Sequence, residues 1–218
     1  MIGIVHSSTR KHIDADILAE YDFENSGRSR NGKNNASIVG AVLYPSSPAI
    51  GFQGGASWAH VNGAGIRFTY PNTVINKTAG SAEFVVNVGA YYAGGMNLLR
   101  IGSNLYSRHL EFYFYGGNIY YYSNSAVGYN DPWMAITVGT TYYIGVTWDA
   151  TNVKVYGSTA PNFPSITPTK TYNSPRLDLA SSITAVEMVS STQADPSPNQ
   201  KFDRVIFSNK VRTKFPTV

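Results

Sequence analysis

The sequence predicts an all-β sandwich or barrel, and three observations carry that prediction. Apolar and polar residues alternate at a spacing of two in several segments, as in strands with one face in the core. No segment keeps apolar residues at helical spacing for three turns, because Gly or Pro interrupts each long candidate. The alternating segments are separated by Gly, Pro and Asn turns, which is typical of antiparallel sheets.

Three alternating segments predict strands with one buried face. The predicted core positions of the first, residues 82–88, are Ala82, Phe84, Val86 and Val88. Those of the second, residues 140–148, are Tyr142, Ile144, Val146 and Trp148. A third strand has Val153 and Val155 on either side of Lys154, and the polar residues 149–152 before it predict a hairpin turn.

The most informative segment is a predicted hairpin over residues 109–123, in which Gly116 and Gly117 join two aromatic runs. A two-residue turn with positive φ at both glycines fixes the register of the two strands. It pairs Tyr115 with Asn118, Tyr113 with Tyr120, and Glu111 with Tyr122. The predicted core face carries Leu110, Phe112, Phe114, Ile119 and Tyr121. The opposite face is aromatic and hydrogen-bonding, and its residues are Glu111, Tyr113, Tyr115, Asn118, Tyr120 and Tyr122.

Two interpretations of this outward face stay open. Cross-strand tyrosine pairs stabilise a sheet by up to about 1 kcal/mol each, which is a purely structural role. Alternatively, the same side chains bind a ligand or another subunit, because they project away from the predicted core. Residues 129–133 predict a turn-rich loop beside the hairpin with sugar-binding chemistry, namely aromatic rings next to an amide and a carboxylate. Its candidate ligand-binding residues are Asn130, Asp131 and Trp133, although Trp133 can equally fold back onto the core.

The composition limits the classes of function. Seventeen Lys and Arg residues against thirteen Asp and Glu residues give a net charge of +4. Only 14% of the residues are charged, against about 25% in an average soluble domain. Neutral polar residues therefore build the surface, as in extracellular, glycan-facing or virion-type proteins. The chain has no cysteine, which excludes disulfide frameworks, cysteine-bound metals and thiol nucleophiles.

The sequence also predicts a location and a domain organisation. No apolar run reaches the roughly 18 residues of a membrane-spanning helix, so we expect no membrane insertion. Residues 1–10 lack the pattern of a signal peptide, so the expected location is a virion, or outside the cell by another route. Residues 1–16 are predicted to be a polar arm, and residues 17–218 one domain, because no linker divides them.

Three parts of the chain together resemble the laminin-G-like or concanavalin A-like jelly roll. The first part consists of an aromatic strand and Gly-rich and Asn-rich loops, at residues 18–25, 31–43 and 51–61. The second is the hairpin at residues 141–157, and the third, residues 202–211, is similar to the closing strand. The resemblance implies two stacked antiparallel sheets and a role in glycan binding, adhesion or particle architecture.

The sequence departs from this family where a calcium site is concerned. Gln53 occupies the position of an acidic residue that the family often has in its Gly-rich approach. Calcium prefers six to eight oxygen ligands, commonly from several carboxylates, and this chain is poor in acids. We therefore expect no cofactor, with calcium as a disfavoured alternative.

An E-x-D-x-E pattern resembles the catalytic strand of laminarinase-type glycosidases, which share this jelly roll. The resemblance implies that Glu20 is the nucleophile, Glu24 the general acid and Asp22 the residue that orients them. Retaining hydrolysis needs two carboxyl groups about 5–5.5 Å apart, whereas strand positions four apart span about 13 Å. Both side chains would therefore have to lean inward. The motif also lies at the first predicted strand, whereas in the glycosidases it lies on a central strand of the concave sheet, so we favour a non-enzyme in which Tyr21 and Phe23 are core anchors and the acids form a solvated edge, paired with Arg28 or Arg30.

Other chemistry has weaker support. The four histidines show no metal-ligand spacing. Nucleic-acid binding needs a basic stripe, and the nearest basic residues spread over a strand and tail: Lys201, Arg204, Lys210, Arg212 and Lys214.

The expected function is a non-catalytic glycan-binding and adhesion module, a phage or virus particle component such as a tail or capsid decoration protein. The alternative is a purely structural assembly protein. The expected partners are a polysaccharide or glycan and other virion subunits or further copies of the chain.

Overall fold

The computed structural model describes residues 16–21, 37–39, 58–59, 65–69, 75–76, 78–89, 96–102, 108–123, 129–160, 167–173, 185–188 and 201–212. These residues form fourteen strands. The strands are β1 (Ile17–Tyr21), β2 (Ser37–Val39), β3 (Trp58–Ala59), β4 (Gly65–Thr69), β5 (Ala79–Asn87), β6 (Met96–Gly102), β7 (Arg108–Tyr115), β8 (Asn118–Ser123), β9 (Tyr129–Ala135), β10 (Thr141–Asp149), β11 (Asn152–Ser158), β12 (Lys170–Asn173), β13 (Ala185–Met188) and β14 (Lys201–Ser208). None of the described residues belongs to a helix with the length and hydropathy that crossing a membrane requires.

The strands form two seven-stranded sheets in which every paired neighbour is antiparallel. The β5 sheet has the order β1-β14-β5-β10-β11-β12, and β3 pairs with β14 beside this path. The β7 sheet has the order β2-β4-β13-β6-β7-β8-β9. The predicted all-β, two-sheet antiparallel sandwich is thereby confirmed. The predicted arm at residues 1–16 lies outside the described residues apart from Asp16.

The core lies between the two sheets. All the core positions predicted for residues 82–88 and 140–148 are at most 6% exposed: Ala82, Phe84, Val86, Val88, Tyr142, Ile144, Val146 and Trp148. They belong to one cluster with buried residues of the β7 sheet such as Leu110 and Phe112. The rings of Tyr121 on β8 and Tyr172 on β12 meet across the two layers, with centroids 4.4 Å apart. Alternation therefore identified the face of each strand that lies in the core between the sheets, but the prediction of a single buried face was wrong, because Glu83, Val85 and Thr147 on the opposite faces are buried as well.

The turn between β10 and β11 forms where the polar residues 149–152 predict it. Oδ1 of Asp149 accepts hydrogen bonds from the backbone N–H groups of Thr151 and Asn152, at 2.8 and 2.7 Å. Such side-chain-to-backbone bonds are the reason that Asp favours tight turns. Burial alone would raise the pKa of Asp149, but these bonds and the charge on Lys154 hold it below its usual range.

The β7–β8 hairpin has the predicted turn and register. Gly116 and Gly117 have φ angles of 54° and 80°, in the left-handed region that glycine adopts without strain. Tyr115 pairs with Asn118, and Tyr113 pairs with Tyr120. The predicted core face is at most 3% exposed, at Leu110, Phe112, Phe114, Ile119 and Tyr121.

Residues 129–133 do not form the predicted loop, because they belong to strand β9. β9 is the edge strand of its sheet, so no further strand pairs with its outer side. Proline has no backbone N–H group, and an edge strand tolerates Pro132 because no hydrogen bonds to a neighbouring strand are needed on that side. The register shifts by one residue at this point, since Ile119 pairs with Met134 but Tyr120 pairs with Pro132. The extra residue of this β-bulge is Trp133, which is 7% exposed and packs in the core.

Strand β1 differs in part from its prediction. Tyr21 is fully buried, as expected of a core anchor. Glu20 is not part of a solvated edge, because it is 8% exposed and its Oε1 accepts a hydrogen bond from Nη2 of Arg204 at 2.9 Å. The partner is on β14, which pairs with β1, rather than being Arg28 or Arg30. Asp22, Phe23 and Glu24 lie outside the described residues.

Candidate functional site

The outward side of the β7–β8 hairpin carries a group of side chains that we call the tyrosine face: Tyr113, Tyr115, Asn118, Tyr120 and Tyr122. The two-residue period of the strands puts them opposite the buried face of the hairpin. Tyr115 at the hairpin end is 48% exposed. The other four side chains are half-buried. The sequence therefore identified an outward aromatic surface that the structure confirms as partly accessible.

The tyrosines contact one another in a defined geometry. The rings of Tyr113 and Tyr120 stack across the two strands, with centroids 5.3 Å apart and an interplanar angle of 18°. Tyr115 meets Tyr120 edge to face, at 6.0 Å and 71°. Both arrangements are favourable for aromatic pairs, each contributing about 0.5–1.5 kcal/mol beyond area burial. The three rings therefore form a continuous block whose conformations support one another.

The hydrogen-bonding groups of this face are neutral. Nδ2 of Asn118 donates to the carbonyl oxygen of Gly116 at 3.3 Å, which fixes the amide beside the turn. Burial raises the pKa of Tyr113, and the neighbouring Tyr120 and Glu111 raise it further. The phenol hydroxyl of Tyr113 therefore keeps its proton at neutral pH and can both donate and accept hydrogen bonds.

Glu111 does not face solvent as the sequence predicted, because it is only 1% exposed. Its Oε1 accepts hydrogen bonds from Nη2 and Nε of Arg100 on β6, at 2.9 and 3.2 Å. Arg100 is the register partner of Glu111, and its own side chain is 8% exposed. The pair explains why a carboxylate is stable here, since a buried charge needs a hydrogen-bonded partner.

The candidate residues of β9 are not brought into the tyrosine face as a group. Asp131 pairs in register with the core residue Tyr121, and its carboxylate forms an ion pair with Lys170 of β12. This contact joins the edges of the two sheets. Trp133 packs edge to face on Phe112 in the core, at 6.3 Å and 85°. Asn130 pairs in register with Tyr122, which puts its backbone next to the tyrosine face.

A second polar group was not predicted by the sequence. On the outward side of the β5 sheet, Glu20, Glu83, Arg204 and Arg212 form what we call the ion cluster. Glu20 and Glu83 share a row of the sheet, because each is the register partner of Ile206. Arg204 and Arg212 did belong to the scattered basic residues near the C-terminal end of the sequence. Their acidic partners are far away in the chain, so no local pattern indicated the pairing.

Glu83 is the unusual member of the ion cluster. Nε of Arg212 lies 3.8 Å from Oε1 of Glu83, which is too long for a hydrogen bond. Burial raises the pKa of Glu83 to about 8, although the charges of Arg212 and Arg204 oppose the shift and that of Glu20 adds to it. Loss of hydration thus outweighs the attraction of the nearby guanidinium groups.

Several solved structures share this fold. The chain is similar to Trypanosoma rangeli sialidase in complex with 2,3-difluorosialic acid, with a TM-score of 0.69 and 12% identity over 91% of this chain. It spans only 31% of the sialidase chain. It is also similar to domain 4 of AbnA, a GH43 extracellular arabinanase from Geobacillus stearothermophilus, in complex with arabinotriose. The TM-score there is 0.67 and the identity 16%, over 91% of this chain and 95% of that domain.

A third similar structure is the binding domain of botulinum neurotoxin serotype D, with a TM-score of 0.65 and 9% identity. The match covers 90% of this chain and 49% of that one. No protein-family model and no curated protein sequence matches the chain. The comparisons therefore establish a shared β-sandwich fold.

Proposed function

We propose that the protein is a non-catalytic glycan-binding and adhesion module and that the tyrosine face binds the glycan. The observation that carries the proposal is a continuous block of three tyrosine rings that points away from the core on an antiparallel hairpin. Its outermost ring, Tyr115, is 48% exposed. Aromatic rings with a few polar groups are what ligand sites generally use to bind and orient their ligands.

The arrangement of the rings suits a pre-formed binding site. Stacking of Tyr113 on Tyr120 limits the rotation of both side chains before any ligand arrives. A ligand therefore loses less side-chain freedom on binding than it would against flexible residues. The hydroxyl groups of the tyrosines and the amide of Asn118 supply hydrogen bonds to sugar hydroxyl groups, and the exposed ring of Tyr115 supplies a surface for C–H groups.

The comparisons support glycan binding as a class. Two of the similar structures are described as complexes with arabinotriose and with a sialic acid derivative. The resemblance of the sequence to laminin-G-like and concanavalin A-like domains supports the same class. With identities of 9–16%, neither source identifies the sugar.

The proposal is non-catalytic because of the surroundings of Glu20. This residue is the nucleophile of the laminarinase-type alternative, yet its side chain is 10% exposed and ion-paired with Arg204. A carboxylate that is buried in an ion pair between two strands is poorly placed to reach the anomeric carbon of a sugar. The ion pair therefore favours a structural role for Glu20.

We further propose that the module belongs to a phage or virus particle, as a tail or capsid decoration protein. The low content of charged residues, 14%, and the lack of cysteine support this assignment. A purely structural protein is the competing proposal, in which the tyrosine face contacts another subunit. Exposed tyrosine supports that alternative as well, because aromatic residues are enriched at interface hot spots.

The test compares variants of the tyrosine face with a matched control. We expect Tyr115→Ala and Tyr113→Ala each to weaken glycan binding about threefold to tenfold, because each removes one ring contact. Tyr143→Ala is the control, since Tyr143 is a half-buried tyrosine of β10 outside this face. The measurement is affinity on a glycan array and in solution, with gel filtration and light scattering of each variant. Unchanged affinity in the tyrosine variants would contradict the proposal. Loss of an oligomer without loss of affinity would contradict it as well, and it would favour the structural alternative.

A further inference from the structure

We infer that the glycan bound by the tyrosine face is uncharged. The inference rests on the proposed function and deepens it by naming the class of ligand. The described side chains of this face are neutral: Tyr113, Tyr115, Asn118, Tyr120 and Tyr122. Neutral hydroxyl and amide groups match the hydroxyl groups of an uncharged sugar.

The charges beside this face neutralise each other. Both Nη2 and Nε of Arg100 donate to Oε1 of Glu111. The side chains are 8% and 1% exposed, so neither charge is presented to solvent. Arg100 is thus committed to its own carboxylate, and an anionic ligand would have to compete with that buried pair.

The nearest described charges at the edge of the sheet are also paired. Asp131 and Lys170 form an ion pair between β9 and β12. Nζ of Lys170 also lies over the ring of Tyr172, 5.5 Å from its centroid. Asp131 is opposite the core residue Tyr121 rather than beside the outward tyrosines. This ion pair therefore adds no net charge to the tyrosine face.

An anionic sugar gains little from such a surface. A carboxylate or sulfate loses hydration when it approaches protein, and it needs a cation or several donors in return. The face of an aromatic ring carries negative charge density, which repels anions and attracts C–H groups and cations. Among the described side chains, the tyrosine face thus favours uncharged sugars by its own chemistry.

The net charge of the whole chain, taken alone, predicts binding to anionic polymers instead. A net charge of +4 attracts anionic polymers at long range. That attraction is screened within about 10 Å at 0.1 M salt, whereas ring contacts and hydrogen bonds to a neutral sugar are not. Salt dependence therefore separates specific binding at the tyrosine face from general attraction.

The experiment uses neutral linear polysaccharides (glucans, galactans, arabinans) and uronate- or sulfate-bearing ones, with wild type, Tyr115→Ala and the Tyr143→Ala control. Binding is measured at about 0.05 M and about 0.5 M salt, which changes the screening length about threefold. We expect binding to a neutral polysaccharide that changes less than about twofold with salt and falls threefold to tenfold in Tyr115→Ala. We expect any binding to anionic polymers to disappear at high salt. At low salt it should be equally strong in wild type, Tyr115→Ala and Tyr143→Ala.

Two results would overturn the inference in distinguishable ways. Binding that is specific for anionic polysaccharides and weakened by Tyr115→Ala would contradict the neutral class while keeping glycan binding at this face. A folded protein that binds neither class would overturn the proposed function together with the inference.

Discussion

Two buried glutamates show that the distance to a guanidinium group decides whether a buried carboxyl group forms a hydrogen-bonded ion pair. Glu111 accepts two hydrogen bonds from Arg100, the shorter at 2.9 Å. Glu83 has its nearest cation, Arg212, at 3.8 Å and without a hydrogen bond. A buried charge is stable only with close, well-aligned partners. The result is an ion pair beside the tyrosine face but a carboxyl group with a raised pKa in the ion cluster.

We predict that Glu83 makes the stability of the fold depend on pH. Its pKa is raised from an ordinary value of 4.5 to about 8, so the folded state binds the proton more tightly than the unfolded state. The free energy of unfolding from this group is therefore fully present below pH 4.5 and is lost as the pH rises through about 8. Glu83→Gln has the shape of the neutral acid, so we expect it to lose less stability than wild type between pH 4.5 and about 8, the interval between the unfolded and folded pKa values of Glu83.

The measurement for Glu83 is urea unfolding of wild type and Glu83→Gln across that pH range. The ion cluster contains Glu20, Arg204 and Arg212 as the other charged groups around Glu83. The exposed pair of Asp16 and Lys210 provides the control, since Asp16→Asn removes a solvated carboxylate instead. Parallel stability curves for Glu83→Gln and wild type would show that Glu83 does not carry the dependence.

At the scale of elements, the sequence was most informative where the signal was local. Gly116 and Gly117 required a two-residue turn, and the turn determined which tyrosines pair across β7 and β8. Strand β9 was missed because Pro132 and its polar neighbours have the composition of a turn. The edge position and the bulge at Trp133 accommodate them, and both depend on strands elsewhere in the sheet.

We predict that the stability cost of a substitution in the hairpin turn depends on the backbone conformation there and not on the space available to the new side chain. A Cβ atom at Gly116 would have no heavy atom within 4 Å, but its φ is +54°. Gly116→Asn should change the free energy of unfolding by less than about 0.5 kcal/mol, because Asn is favoured in such turns. Gly116→Val should lower it by about 1–2 kcal/mol, the cost of a left-handed conformation. Urea unfolding measures both, and equal losses in the two variants would contradict this account.

At the scale of the whole molecule, two-residue alternation predicted the class of fold but not the order of the strands. The first and last described strands, β1 and β14, are neighbours, so Glu20 meets Arg204 across 184 residues of chain. Arg100 and Glu111 are closer in sequence but lie on different strands, and their register includes bulges on both sides. Ion pairs between strands depend on this long-range order. For that reason the tyrosine face was predictable, whereas the burial of Glu111 and the ion cluster were not.

A crystal structure of the protein soaked with a neutral polysaccharide that it binds would locate the glycan directly. We predict sugar rings against Tyr115 on the outward side of β7 and β8, with hydroxyl groups within hydrogen-bond distance of Asn118 and the neighbouring phenols. A sugar bound at another surface, with the tyrosine face bare in the same crystal, would contradict the account.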